Sequence, residues 1–144
     1  MRYQASQIHE LTVGEVMNPS VIYVDESMSV RDLVALLKDH EITGAPVRDK
    51  KGKVVGVISL KDSVEAASDQ TTVAELMTPT VYAIPRQTLV TRAAKTMIAG
   101  RIHRLLVADK GKYVGLVTTL DLLKVIADLT DEEPAQDVCP ELTF

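Results

Sequence analysis

Two short motifs carry the residue types in this sequence that are best suited to bind a small molecule. Both have the pattern Gly-x-x-Ser/Thr-x-x-Asp, and they consist of Gly56, Ser59 and Asp62 and of Gly115, Thr118 and Asp121. A hydroxyl group can hydrogen-bond a phosphate, a carboxylate can accept two hydrogen bonds from the cis-diol of a ribose, and a glycine allows close approach. If each motif joins a strand to a helix, free backbone N–H groups at the helix start add to an anion site.

The same motifs also have a purely structural interpretation. A Ser or Thr followed three residues later by an acidic residue is a common capping pattern at the N-terminus of a helix. The occurrence of the motif at two matched positions favours ligand binding, but a duplicated cap is still a cap. The residues alone leave both interpretations open.

The motif is duplicated because most of the chain is an internal repeat. Residues 13–62 align with residues 73–121, with one gap at Lys50 or Lys51. The stretch "VGEVMNPSV" matches "VAELMTPTV", and "GKVVGVISLKD" matches "GKYVGLVTTLD". The alignment predicts two copies of one small domain packed against each other.

Each copy is predicted to have the element order β-α-β-β-α, preceded by a short helical turn that Pro19 or Pro79 ends. Extended segments follow at residues 21–24 and 81–84. Apolar residues at i, i+3, i+4 and i+7 then predict an amphipathic helix, capped by Ser29 in the first copy and ended near Gly100 in the second. These apolar residues are Val30, Leu33, Val34 and Leu37 in the first copy and Val90, Ala93, Ala94 and Met97 in the second.

A hairpin and a last helix complete each copy in the prediction. A Lys-Gly turn separates "GAPV" from "VVGVIS" in the first copy and "RLLV" from "YVGLVT" in the second. We therefore divide the chain into an N-terminal extension with a short helix (1–12), a first repeat (13–67), a second repeat (68–128) and an acidic tail without regular structure (129–144).

Composition excludes several classes of function. The net charge of −4 argues against a general binder of nucleic acid, and 3% aromatic residues leave few side chains on which bases could stack. The single cysteine, Cys139, excludes a disulfide framework within the chain and argues against a cysteine zinc site, so we expect no metal and a reducing compartment, the cytoplasm. No apolar run has the length of a membrane span, and no signal-peptide core follows Met1.

The paired repeats resemble the cystathionine-β-synthase (CBS) domain family. The likeness covers roughly residues 12–128 and rests on the matched stretches above together with "ITGAPVRD" and "IHRLLVAD". It implies an α/β (α+β) fold in which a tandem pair of repeats packs with pseudo-twofold symmetry. It also implies an adenosyl ligand in the cleft between them: AMP, ADP, ATP or S-adenosylmethionine.

The resemblance assigns the ligand contacts residue by residue. For the second repeat it implies that the backbone of Val81, Tyr82 and Ala83 lines the adenine. His103 and Arg104 would face the phosphate, Thr118 would contact phosphate or ribose, and Asp121 would hold the ribose hydroxyls. "IHRLLV" also resembles the phosphate-contacting segment of the gamma subunit of AMP-activated protein kinase. The first repeat would provide a weaker site from Thr43, Gly44, Ala45, Pro46, Ser59 and Asp62, because Thr43 and Gly44 stand where His103 and Arg104 stand in the second.

Two functions of different kinds follow as hypotheses. The first is a stand-alone regulatory module that binds an adenosyl ligand, with no cofactor required, and modulates an unidentified partner protein. The second is a dimerisation or interaction module that binds no nucleotide; an S-adenosylmethionine sensor is a further alternative. The resemblance implies a homodimer in either case. We expect no enzyme, since no nucleophile–base pair, paired carboxylates or metal cluster is visible, and no membrane or nucleic-acid partner.

Overall fold

The computed structural model describes residues 4–136, and within them the predicted element order occurs twice. The tail beyond residue 136, with Cys139, lies outside the described residues. The first half contains α1 (Val13–Val16), β1 (Val24–Asp25), α2 (Val30–Asp39), β2 (Gly44–Arg48), β3 (Val54–Ser59) and a 3₁₀ helix (Leu60–Glu65). The second half contains α3 (Val73–Leu76), β4 (Ala83–Pro85), α4 (Val90–Gly100), β5 (Arg104–Asp109), β6 (Lys112–Thr118) and α5 (Thr119–Ala127). A further 3₁₀ helix, Ala5–Glu10, precedes α1.

Each half builds a three-stranded sheet with the same topology. In the first, β1 runs parallel to β2, and β2 runs antiparallel to β3; the second sheet repeats this order with β4, β5 and β6. The hairpin turns use the predicted glycines, since Gly52 and Gly111 have φ of 82° and 77°. The extra residue of the first repeat therefore lies in a turn, where it does not disturb the strand register.

The amphipathic helices bury the predicted face except at one position of the repeat, where Val34 is exposed and its counterpart Ala94 is half-buried. Leu33 and Leu37 are buried on α2, whereas Val34 remains exposed at its margin. The Asp32 N–H donates to Ser29 Oγ at 3.2 Å, so Ser29 is the predicted cap. The helix α4 ends at Gly100, as predicted, and Arg101 after it adopts the left-handed conformation with φ of 51°.

The short helices α1 and α3 exchange places between the halves. Val13 is buried in the core of the second half, and Val73 is buried in the core of the first. Backbone hydrogen bonds hold the two short helices in these positions: the Val13 N–H donates to Thr88 O at 2.8 Å, and the Val73 N–H donates to Met28 O at 2.8 Å. Each core thus includes a segment from the start of the other repeat.

Reciprocal backbone pairing gives the two halves a pseudo-twofold relation. Thr12 pairs with Leu89, and their counterparts in the repeat alignment, Thr72 and Ser29, pair in the same antiparallel way. Asn18 pairs with Leu116 in β6, and correspondingly Thr78 pairs with Val57 in β3. The segment after each short helix is therefore held against the last strand of the opposite half.

Candidate functional site

Both Gly-x-x-Ser/Thr-x-x-Asp motifs form a cap at the end of a hairpin strand. The Ser59 N–H and Oγ–H donate to Asp62 Oδ2 at 2.8 and 3.0 Å. The Thr118 N–H and Oγ1–H donate to Asp121 Oδ2 at the same two distances. In both motifs Oδ1 makes no hydrogen bond with the described residues. The cap thus uses one carboxylate oxygen and leaves the other available.

The helices that follow the two motifs differ. Thr118 begins α5, whereas Ser59 begins only the six-residue 3₁₀ helix Leu60–Glu65. A helix dipole is the sum of peptide dipoles aligned along an α-helix, and a six-residue 3₁₀ helix provides few of them. The positive helix end expected at both motifs is therefore weak at Ser59. Any anion near Asp62 depends on side-chain cations instead.

Two clefts lie between the halves. The first, called the Asp62 cleft, has a volume of about 620 Å³ and is lined by residues that include Ser59, Lys61, Asp62, Tyr82, Arg101 and Arg104. The second, called the Thr118 cleft, has a volume of about 410 Å³ and is lined by residues that include Val21, Ile22, Glu41, Gly44, Arg104 and Thr118.

The structure groups the predicted residues differently from the sequence interpretation. Tyr82 lies in the Asp62 cleft with the motif of the first repeat, whereas Thr118 lines the other cleft with Ile22. The reciprocal pairing explains this: Thr78 pairs with Val57 in β3, so the segment that follows Thr78 runs towards the end of that strand. Each cleft thus combines the extended segment of one repeat with the hydroxyl motif of the other.

Of the remaining predicted residues, some line one cleft, some line both clefts and some line neither. Pro46 lines the Asp62 cleft, and Gly44 lines the Thr118 cleft. Thr43, His103 and Arg104 line both. The predicted residues found in neither lining are Ala45, Val81, Ala83 and Asp121.

Arg104 reaches from the second half to the first. Its Nη2 donates to Thr43 Oγ1 at 2.9 Å, and a Cβ added at Gly44 would collide with its guanidinium group. Burial lowers the pKa of the Arg104 guanidinium, and the Asp62 carboxylate opposes that shift by charge attraction. Gly44 is the counterpart of Arg104 in the repeat alignment, so the Arg104 side chain packs against the equivalent position of the other repeat.

The charges of the two clefts are unequal. Lys61, Arg101 and Arg104 line the Asp62 cleft. Arg104 is the one Lys or Arg among the described residues that line the Thr118 cleft, which also contains Glu41. The sequence interpretation assigned neither Lys61 nor Arg101 to a site, although the first lies inside the Ser59–Asp62 motif and the second belongs to the basic cluster with His103 and Arg104. The larger and more cationic of these two clefts contains the motif of the first repeat, and the predicted ranking of the two sites stays a prediction.

Comparison with known proteins identifies the architecture. A model of the CBS domain matches residues 13–67 and 73–128. The chain belongs to the CBS domain family. The match occurs twice, so the protein contains a CBS domain pair, the α/β fold that the resemblance implied. CBS pairs are generally regulatory modules.

A curated relative is the uncharacterised protein MJ1232 of Methanocaldococcus jannaschii. It is 34% identical over 124 residues, which cover 85% of this chain and 42% of MJ1232. The present chain therefore spans less than half of that relative's length.

Solved CBS pairs with the same fold contain adenosyl ligands. The CBS domain pair of protein MJ0100, in complex with 5′-methylthioadenosine and S-adenosyl-L-methionine, has a TM-score of 0.74, 26% identity and coverage of 83% of this chain and 98% of its own. CBSX2 in complex with AMP has a TM-score of 0.72 and 29% identity, covering 83% and 98%. The CBS domain of a bacterial CNNM/CorC family Mg²⁺ transporter in complex with ATP has a TM-score of 0.77 and 26% identity, covering 87% and 93%.

In the part of the chain that the structure describes, no group of three or more His, Cys, Asp or Glu side chains could hold a metal ion. No helix among residues 4–136 combines the length and apolar character needed to cross a membrane.

Proposed function

We propose that this CBS pair is a regulatory module that binds an adenine nucleotide in the Asp62 cleft and thereby modulates a partner protein. One observation carries the proposal: the Ser59–Asp62 motif and Arg104 come from different repeats and meet in one cavity of about 620 Å³. This volume lies in the range of small-molecule sites. A ligand that touches both repeats can favour one arrangement of them over another, which is the requirement for regulation.

The proposed contacts follow from the chemistry of the lining. Asp62 Oδ1 accepts hydrogen bonds from the ribose hydroxyls while Oδ2 keeps the cap. Arg104, with Lys61 and Arg101 beside it, faces the phosphate. Tyr82, whose side chain is 50% exposed, offers a ring against which adenine can stack. We retain Val81 and Ala83 as backbone neighbours of the adenine, and Thr118 and Asp121 as the motif of a second, weaker site.

The cleft charges favour a phosphate-bearing ligand over S-adenosylmethionine. The sulfonium of S-adenosylmethionine is positive, and three cationic side chains line the Asp62 cleft. AMP, ADP and ATP bring negative charge to the same place. The ligands of the solved relatives, which include AMP and ATP as well as S-adenosyl-L-methionine, support the adenosyl class as a whole.

Thermal unfolding with a ligand panel tests the proposal. At one hundred times its dissociation constant, a ligand that binds only the folded state adds about 2.7 kcal/mol, which raises the melting temperature by roughly 5–10 °C. We expect such a rise with AMP, ADP or ATP, and a smaller one with S-adenosylmethionine. A larger rise with S-adenosylmethionine would identify a sensor of that ligand. No rise with any of them would contradict the proposal.

The alternative, an interaction module, has one specific observation in its favour. Leu120, Leu123 and Ile126 on α5 are each 58% exposed, which is unusual for large apolar side chains on one helix. We propose that this face pairs two copies of the chain into a homodimer, with or without nucleotide. Light scattering of the purified protein measures the assembly directly, and a monomer at all concentrations would remove this proposal.

We further propose that the protein is not an enzyme and acts in the cytoplasm. The polar groups of the Asp62 cleft are suited to hold a ligand. One cysteine in 144 residues is typical of a reducing compartment. Incubation with ATP followed by product analysis tests the first statement, since turnover would contradict it.

A further inference from the structure

Arg104 occupies the place where the two clefts meet. It lines both of them, and it lies against Gly44, its own counterpart in the other repeat. Two counterparts that contact each other lie near the pseudo-twofold axis that relates the repeats. A side chain in this position can reach either cleft, but the guanidinium group cannot serve both equally at the same time.

The two clefts depend on Arg104 to different degrees. The Asp62 cleft retains Lys61 and Arg101 when Arg104 turns away. The Thr118 cleft then has no Lys or Arg among its described lining residues and keeps the carboxylate of Glu41. Arg104 is therefore the one Lys or Arg available to a phosphate in the Thr118 cleft among the described residues, beside the N-terminus of α5, whereas a phosphate in the Asp62 cleft has Lys61 and Arg101 as well.

We propose that Arg104 is a single phosphate contact shared by the two clefts, so that a nucleotide in the Asp62 cleft weakens the binding of a second nucleotide in the Thr118 cleft. The inference rests on the proposed function, since it presupposes that nucleotides enter these clefts. It adds that the pair takes one nucleotide with high affinity and leaves the second cleft to a nucleoside-like ligand without phosphate.

The physical basis is the geometry of one guanidinium group. Its five N–H donors form a planar fork, and Nη2 already donates to Thr43 Oγ1. A bidentate bond to one phosphate uses an edge of the fork. A second phosphate on the other side of Arg104 would meet fewer donors and the repulsion of the first phosphate at short range. Adenosine, which lacks the phosphate, does not compete for Arg104.

The absence of tryptophan from the sequence allows each cleft to be observed separately. Tyr82 and Ile22 are counterparts in the repeat alignment and line the Asp62 and Thr118 clefts. The variants Tyr82→Trp and Ile22→Trp therefore report occupancy of one cleft each by fluorescence. Titrations with AMP and with adenosine are all carried out at one pH, because His103 also lines both clefts.

A blocking substitution then tests the coupling. Ser63 lines only the Asp62 cleft, so Ser63→Tyr fills that cleft while Asp62 and its charge remain. Loss of the AMP response in the Tyr82→Trp reporter verifies the block. We expect Ser63→Tyr to strengthen AMP binding at the Ile22→Trp reporter by about fivefold or more, because Arg104 is released to the Thr118 cleft. Adenosine binding there should not change.

Two further variants assign the effect to Arg104. In Arg104→Met the gain caused by Ser63→Tyr should disappear, whereas in Lys61→Met, which alters a cation of the Asp62 cleft alone, it should persist. Calorimetry of the chain without reporters gives a second measurement, with a first AMP bound at least about tenfold more tightly than a second. Equal AMP affinity at the Ile22→Trp reporter with and without the block would overturn the shared contact while leaving the proposed function intact. If neither reporter responds to AMP or adenosine, the proposed function itself fails.

Discussion

Replacing Asp62 by alanine, with Asp121→Ala as a closely matched control, distinguishes the effect of losing the helix cap from the effect of losing the ligand contact. Each carboxylate accepts one backbone and one hydroxyl hydrogen bond, at 2.8 and 3.0 Å in both motifs. The loss of an N-terminal cap costs about 1 kcal/mol. Both variants should therefore unfold about 2–5 °C below the parent chain. Urea denaturation at fixed pH measures the two losses in free energy.

Ligand binding should distinguish the two variants. Asp62 lines the larger cleft, and Asp121 is absent from the lining of either. A hydrogen bond from a ribose hydroxyl to a carboxylate contributes about 1.5–3 kcal/mol, so Asp62→Ala should weaken AMP binding by about 10- to 150-fold. Asp121→Ala should change it by less than about threefold. Isothermal titration calorimetry with AMP measures both dissociation constants.

A conservative variant isolates the charge. Asp62→Asn keeps an oxygen that can accept the two capping bonds, so it should lose less stability than Asp62→Ala and still bind AMP weakly. The reasoning is refuted if Asp62→Ala loses the expected stability and binds AMP as tightly as the parent. It is equally refuted if Asp121→Ala has the larger loss of affinity, since the second repeat would then contain the principal site, as the sequence suggested.

Three further substitutions test the packing, the repeat contact and the assembly. Val13→Ala should destabilise the chain by about 2 kcal/mol in urea unfolding, since Val13 is fully buried in the opposite half, whereas Val64→Ala on the surface should change stability by less than about 0.5 kcal/mol. Gly44→Ala should cost about 1–3 kcal/mol, because its Cβ would meet the Arg104 guanidinium and a backbone oxygen; an unchanged melting temperature would contradict this close packing at Gly44. Leu123→Lys should convert a homodimer to a monomer in light scattering without changing the circular dichroism, and a persistent dimer would place the interface elsewhere.

Local features of the fold follow closely from the sequence. The spacing of Leu33 and Leu37 predicts the buried face of α2, and Ser29 predicts its start. The glycines of the two hairpin turns predict left-handed backbone at Gly52 and Gly111. These features depend on contacts within a few residues, so a local pattern is sufficient to predict them. The left-handed backbone of Arg101 does not follow from the sequence, because the residue that ends a helix in this conformation is usually glycine, and Gly100 stands just before it.

The composition of the candidate site was predictable only in part. Ser59, Asp62, Tyr82 and Arg104 were all identified from the sequence, but they were distributed over two separate sites. The pairing of Thr78 with Val57 carries Tyr82 towards the motif of the other repeat. This pairing joins residues that are distant in sequence, and no pattern within one repeat indicates it. Lys61 and Arg101 come from different repeats and line the same cleft, so the charge of that cleft could not be predicted from one repeat alone.

The repeat, its element order and the residue types of the motifs follow from the sequence, because repetition and hydrophobic period are properties of the chain alone. How the repeats combine is a property of the folded chain: α1 and α3 pack in opposite halves, and the Arg104 side chain lies against Gly44. Two identical copies could also have packed side by side, each with its own helix. The observed arrangement buries Val13 and Val73 and pairs their backbone N–H groups. The free energy that favours it is a sum over contacts between residues distant in sequence.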